Sequence, residues 1–123
     1  MVTSASCRAV LVVEDDADIR DLVVRVLEDE GFHVYEASNG EQALGVLETI
    51  PQPALILADL MMPVMGGASL IAALRRDDRF ATLPVVIMSA VDVETFGAFR
   101  RIKKPIDLNA LVEVVSEACR RRI

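Results

Sequence analysis

Asp59 is the residue whose placement most suggests chemistry. It follows the apolar run Ala54-Leu55-Ile56-Leu57-Ala58, so its carboxylate stands at the end of an expected strand. Other reactive groups close similar runs. Glu14, Asp15 and Asp16 follow Ala9-Val10-Leu11-Val12-Val13, Ser89 follows Val85 to Met88, and Lys103-Lys104-Pro105 close a last short strand. In an open parallel sheet, ligands bind beyond the carboxyl ends of the strands, near the point where strand order reverses. Several carboxylates, a hydroxyl and an ammonium are thus expected along one edge. Clustered carboxylates repel unless a cation sits among them, and magnesium suits a few carboxylates plus waters and a phosphate. A carboxylate also attacks phosphorus to give an acyl phosphate. A metal, Lys104 and Ser89 would neutralise and orient the peripheral oxygens that such a transfer exposes.

Each residue alone admits a plainer role. Glu14, Asp15 or Asp16 before a helix favours its dipole, and Asp16 is best placed to cap it. Lys103 and Lys104 are also what a solvated strand end carries, and Ser89 or Asp59 what a turn carries. The joint placement at strand ends is what favours the chemical reading.

The elements that must position these groups alternate along the whole chain. The first strand is a continuous β-branched run, the mark of a strand covered on both faces. A helix follows with Ile19, Leu22, Val23, Val26 and Leu27 on one expected buried stripe, ended by Gly31. His33 to Ala37 reads as a strand, and Ser38 or Asn39 caps a helix burying Ala43, Leu44 and Leu47. After Pro51 and Pro53 comes the third strand. Gly66 and Gly67 precede a helix through Leu70, Ile71 and Leu74, and Pro84 opens the fourth strand. The fifth runs roughly from Phe99 to Lys103, and Asp107 caps a final helix carrying Leu108, Leu111, Val112, Val115 and Cys119. Five strands alternating with helices imply an α/β fold, a parallel sheet with helices on both faces. Only eight residues, Val91 to Ala98, separate Ala90 from Phe99. A parallel crossover needs about 10–12 or more, so the fourth helix is expected to be short or irregular, with Asp92 as its cap.

The bulk properties agree. A chain of 123 residues fits a single domain with one core, 53% hydrophobic and 26% charged, with no Trp. The net charge of −6 argues against nucleic acid or an anionic membrane as direct partner. No apolar run approaches the roughly 18 residues of a membrane span. Met1 to Arg8 lacks the pattern of a secretory signal, and residues 1–7 read as a disordered lead-in. Cys7 and Cys119 have no metal-type spacing and read as free thiols of a cytoplasmic protein, Cys119 in the core. Few residues follow the last helix, so no output domain is expected in this chain. His33, in an apolar strand, reads as structural rather than as a phosphocarrier.

Four segments, in order, carry a resemblance. Leu11-Val12-Val13-Glu14-Asp15-Asp16, Asp59-Leu60-Met61-Met62-Pro63-Val64-Met65-Gly66-Gly67, Val86-Ile87-Met88-Ser89-Ala90 and Lys104-Pro105 together resemble the signature of two-component response-regulator receiver domains of the chemotaxis-regulator type. The resemblance implies a flavodoxin-like sheet of order 2-1-3-4-5. It implies that Asp59 takes a phosphoryl group from a phosphohistidine of a partner kinase or phosphotransfer protein, and that the signal passes on to a downstream protein by contact. Glu14 and Asp15 match the acidic pair that holds Mg2+, Asp15 directly and Glu14 through water, and Met61 would add its backbone carbonyl. Lys104 would contact the phosphoryl group, Ser89 matches the hydroxyl that moves toward it, and Pro105 would follow a cis peptide bond. Such a chain is an acceptor rather than a conventional enzyme, a monomer or weak dimer catalysing its own phosphorylation and slow self-dephosphorylation.

Two positions depart from the pattern, and two more bear on rate. Gly66 stands where the family has Asp or Asn, so a capping side chain is missing. Arg101 stands where the family has a switching Tyr or Phe, which with the short crossover implies an atypical output face. Met61 and Val91 occupy rate-tuning positions and are apolar, so neither orients an attacking water; the plainer role for Met61 and Met62 is packing. Two other classes compete. A pseudo-receiver would use the fold as an interaction module without phosphorylation, which Arg101 and the short crossover favour and the full acidic set with Ser89 and Lys104 opposes. A phosphatase of the haloacid dehalogenase type needs a second Asp where Met61 stands, and is rejected.

Overall fold

The computed structural model describes residues 8–90 and 100–120. The strands are β1 (Ala9–Val13), β2 (His33–Ala37), β3 (Leu55–Asp59), β4 (Val85–Ser89) and β5 (Arg100–Lys103), joined in one parallel sheet of order β2-β1-β3-β4-β5. The three continuous apolar runs form the fully buried strands β1, β3 and β4, and two segments of more polar sequence form the edge strands β2 and β5. The helices are α1 (Ala17–Asp29), α2 (Gly40–Leu47), α3 (Gly67–Arg75) and α4 (Leu108–Arg120). This is the flavodoxin-like arrangement expected from the sequence. Asp59 proves to be the last residue of β3 rather than the residue after it. The expected lead-in, the thiol of Cys7, the short helix between β4 and β5, Val91 and Phe99 lie outside the described residues.

Strand side chains alternate between faces, and that period of two divides the core. Val10, Val12, Leu55, Leu57, Met88 and Ile102 pack with Val23 and Leu27 of α1 and with Leu111, Val115 and Cys119 of α4. Leu11, Val13, Ile56, Ala58, Val85 and Ile87 pack on the other face with Ala43 and Leu47 of α2 and with Leu70, Ile71 and Leu74 of α3. Cys119 is buried, as its place on the helical stripe predicts. The stripe expected on α1 needs one correction. Leu22 is 48% exposed while Val24 is buried, so the covered face of the helix is displaced from the one the spacing implied.

Helix ends are fixed by short-range chemistry. Asp16 caps α1, its Oδ1 accepting from the Asp18 and Ile19 N–H groups at 2.9 and 3.2 Å. At the other end Gly31 adopts φ +92°, which glycine alone takes at no steric cost. That turn sends the Gly31 N–H to the Glu28 carbonyl and the Phe32 N–H to the Leu27 carbonyl, and it folds Phe32 into the core. Of the two expected caps for α2, Asn39 fills the role, accepting from the Gln42 N–H at 2.8 Å. Asp107 caps α4 through the Asn109 and Ala110 N–H groups.

Candidate functional site

Register and parity together assemble the site. Val13 pairs with Ala58, so Glu14 extends β1 beside Asp59. Glu14 continues the parity of Val10 and Val12, Asp59 that of Leu55 and Leu57, and Lys104 that of Ile102, so all three lie on the face covered by α1 and α4. Ser89 has the opposite parity, that of Val85 and Ile87. It is buried, and its carbonyl accepts from the Lys104 N–H at 2.8 Å.

Lys104 Nζ donates to Asp59 Oδ2 at 3.0 Å and to Glu14 Oε1 at 3.3 Å. Glu14 and Asp59 are 1% and 6% exposed, so these are close pairs in a poorly hydrated corner. Glu14 Oε2 also accepts from the Asp16 N–H at 3.1 Å, and Asp59 Oδ1 from the Met61 N–H at 3.4 Å. Burial is the main reason the Glu14 carboxyl is pushed from its ordinary 4.5 up to about 7; the Asp16 N–H opposes the shift, the Asp59 charge adds to it, and Lys104 offsets part. Burial alone would lower the Lys104 ammonium, but its hydrogen bond to Asp59 and the charges of Asp59 and Glu14 outweigh that and raise its pKa.

The exposed Asp15 completes a cluster. Carboxylate oxygens of Glu14, Asp15 and Asp59 lie within 4.8 Å of one another. An all-oxygen, three-carboxylate set fits a hard divalent cation, with Asp15 open to water on its outer side. Met61 is 76% exposed on the loop after β3, so its side chain faces solvent rather than the cluster. The Lys104–Pro105 peptide bond is cis. Arg101, half-buried on β5, pairs in register with Ile87. His33 sits at the start of β2, stacked edge-on against Tyr35 at 4.8 Å, at the end of the sheet away from the acidic corner.

The loop between β3 and α3 is held by backbone groups. The Gly67 N–H donates to the Leu60 carbonyl, the Met65 N–H to the Pro63 carbonyl, and the Gly40 N–H of α2 to the Met65 carbonyl at 2.8 Å. Gly66 is the N-cap of α3 with no side-chain bond, and a Cβ there would stand 2.7 Å from the Leu60 carbonyl oxygen. Glycine at this position is therefore a matter of close approach.

Sequence reading missed Arg20. Its Nη1 donates to the Glu14 carbonyl at 2.8 Å and its Nε to Glu36 at 3.3 Å. An arginine one turn into a helix gives no signal that it folds back onto a main-chain carbonyl.

A parallel sheet whose strand ends gather two buried carboxylates, an exposed one and a lysine defines a receiver-type fold. Comparison with known proteins agrees. The model of the response regulator receiver domain matches residues 10–116. The chain therefore belongs to the response-regulator receiver family of two-component systems. It is 37% identical over 117 residues to an uncharacterized 14.6 kDa protein of Leptolyngbya boryana, covering 89% of this chain and 88% of that one. It is 37% identical over 121 residues to the phosphate regulon transcriptional regulatory protein PhoB of Escherichia coli, covering 93% of this chain and 52% of PhoB. The chain thus spans about half the length of that regulator and 24% of a putative NtrX-like regulator of Rickettsia bellii. Among solved structures, a putative response regulator from Chloroflexus aurantiacus superposes with a TM-score of 0.86 at 26% identity, over 93% of this chain and 98% of that one. Among the described residues no helix is long and apolar enough to cross a membrane.

Proposed function

We propose that the chain is a phosphorylatable receiver in which Asp59 accepts a phosphoryl group from a phosphohistidine of a partner kinase or phosphotransfer protein. The observation that carries this reading is the juxtaposition of Asp59 with Lys104 at 3.0 Å and with Glu14 and Asp15 within a 4.8 Å carboxylate cluster. An oxygen of Asp59 attacks phosphorus, the phosphorus–nitrogen bond breaks, and the imidazole leaves with the electron pair. Lys104 then turns from a carboxylate partner into a partner of the peripheral phosphoryl oxygens. Bound Mg2+ supplies charge neutralisation at those oxygens. Glu14 and Asp15 would hold it, with Asp59 and the Met61 carbonyl completing the protein ligands. Ser89 would turn its hydroxyl toward the phosphoryl group, and Arg101 in place of an aromatic switch residue makes the output face atypical. Apolar Met61 and Val91 leave the attacking water unoriented, so the acyl phosphate is long-lived.

The downstream partner is a protein reached by contact, and the domain acts as a monomer or weak dimer in the cytoplasm. The 52% coverage of PhoB is compatible with a receiver of a longer regulator, and the 88% coverage of the Leptolyngbya protein with a stand-alone one.

Incubation with a small phosphodonor and MgCl2, followed by intact-mass spectrometry, tests the reading. One phosphoryl group should be gained, and none by Asp59→Ala or in EDTA. No gain by the unaltered chain would instead identify a phosphorylation-independent interaction module.

A further inference from the structure

Glu14 is the most buried carboxylate of the acidic corner, and its main chain is gripped from two sides. Its N–H donates to the Ala37 carbonyl at 3.0 Å, and its own carbonyl accepts from Arg20 Nη1 at 2.8 Å. That carbonyl belongs to the peptide joining Glu14 to Asp15, so its direction sets the relative placement of the two carboxylates. Arg20 also reaches Glu36 of β2, with its side chain 21% exposed. One guanidinium fork thus ties the turn after β1 to α1 and to the edge strand, a geometry that a point-charge ammonium does not reproduce.

We propose that Arg20 is a positioning residue for the cation site, holding the Glu14–Asp15 peptide in the orientation that presents both carboxylates to a divalent ion. The inference rests on the reading of that corner as a Mg2+ site. Two effects of Arg20 oppose each other. Its positive charge near the cluster repels a dication, an effect that Glu36 partly cancels. Its hydrogen bond preorganises the ligands, and loss of such supporting partners costs about 10–100-fold in metal affinity. Preorganisation is the larger effect, because the charge is already paired while the carbonyl is part-buried and gains no equivalent donor in its place.

The two effects give opposite signs, which makes calorimetric titration of the full chain with MgCl2 decisive. Arg20→Met should weaken Mg2+ by about tenfold. Arg20→Gln, the milder truncation should Arg20→Met fold poorly, should weaken it in the same direction. Glu36→Gln keeps the carbonyl bond and unmasks the charge, and should change affinity by less than about threefold, well below the loss expected for a lost supporting partner. Titration with CaCl2 supplies a readout that general loosening would not move. Calcium tolerates irregular oxygen geometry and magnesium does not, so the Arg20 variants should lose more affinity for Mg2+ than for Ca2+. Unchanged or tighter Mg2+ binding by the Arg20 variants, or equal losses for both ions, overturns the proposal while leaving the site intact. Absence of Mg2+ binding by the unaltered chain overturns the site reading itself, and the Arg20 role with it.

Discussion

The two loops that flank the acidic corner are built in opposite ways. The turn between β1 and α1 is three residues long, all acidic, and held by side chains. Asp16 caps the helix, Glu14 accepts from the Asp16 N–H and from Lys104, and Arg20 clamps the Glu14 carbonyl. The loop between β3 and α3 is longer, mostly apolar, and held by main-chain bonds, with a glycine cap and with Met61 and Val64 exposed at 76% and 77%. The difference follows from what each must present. Carboxylates gathered in a poorly hydrated corner need charged and polar partners to offset the hydration they lose. In the second loop the Leu60 carbonyl oxygen crowds the place where a Cβ on Gly66 would stand, so there is little room for a capping side chain and backbone groups do the holding instead. If that is right, the first loop should answer to charge and pH, and the second to sterics and backbone conformation.

The largest effect should come from charge in the first loop. In EDTA the folded chain keeps a proton on Glu14 up to about pH 7, whereas an unfolded chain releases it near 4.5. The folded state therefore binds more protons between those values, and stability falls as pH rises through that window. Glu14→Gln removes the titration, and should flatten the slope and raise stability at pH 7.5 by on the order of 2 kcal/mol. Urea unfolding at pH 5 and pH 7.5 measures both quantities. The same dependence on pH in the variant as in the parent would show that Glu14 is not where the corner is strained.

Next in size is a contrast between the two caps. Asp16→Ala leaves the Asp18 and Ile19 N–H groups without their acceptor and should cost about 1 kcal/mol. Restoring a capping acid with Gly66→Asp should not return a similar amount. Its Cβ would meet the Leu60 carbonyl oxygen at 2.7 Å, and the displaced loop should cost about 1 kcal/mol or more in spite of the new acceptor. A net gain from Gly66→Asp in urea unfolding would mean that the second loop yields easily, and the comparison between the loops would lose its steric half.

Much of this was legible in the sequence because it is local. The β-branched run 9–13 and the segment 33–37 are strands with the expected bounds, and Asp16, Asn39 and Asp107 are caps because their side chains reach N–H groups two or three residues ahead. The gathering of Glu14, Asp15, Asp59 and Lys104 was readable too, since parallel strands of matched length bring their carboxyl ends to one edge. Arg20 was not readable, because its partners are a main-chain carbonyl and a residue of β2 brought close only by tertiary packing. Leu22 was misplaced for a related reason: helical spacing defines a stripe, while the neighbouring elements decide which part of it is covered. The parity of Ser89 follows from register, which no single run reveals.

The smallest effect concerns a backbone conformation that sequence reading also passed over. Val64 has φ +69°, a region that β-branched residues avoid because Cβ crowds the neighbouring carbonyl. The turn is closed by the Met65 N–H on the Pro63 carbonyl at 2.7 Å, and Met65 is in turn tied to Gly40, so the surrounding bonds hold Val64 where its own preference would not. The side chain is 77% exposed and has little packing to lose. Val64→Asn should therefore raise stability by about 0.5–1 kcal/mol, since asparagine tolerates this region. Val64→Gly should gain less, because glycine relieves the same strain but adds freedom to the unfolded chain. Asparagine above glycine above valine, in urea unfolding at a pH where Glu14 is charged in all three, is the order that backbone strain requires. Valine as the most stable of the three would mean that its exposed methyl groups make an apolar contact worth more than the strain, and the second loop would then be held partly by side chains after all.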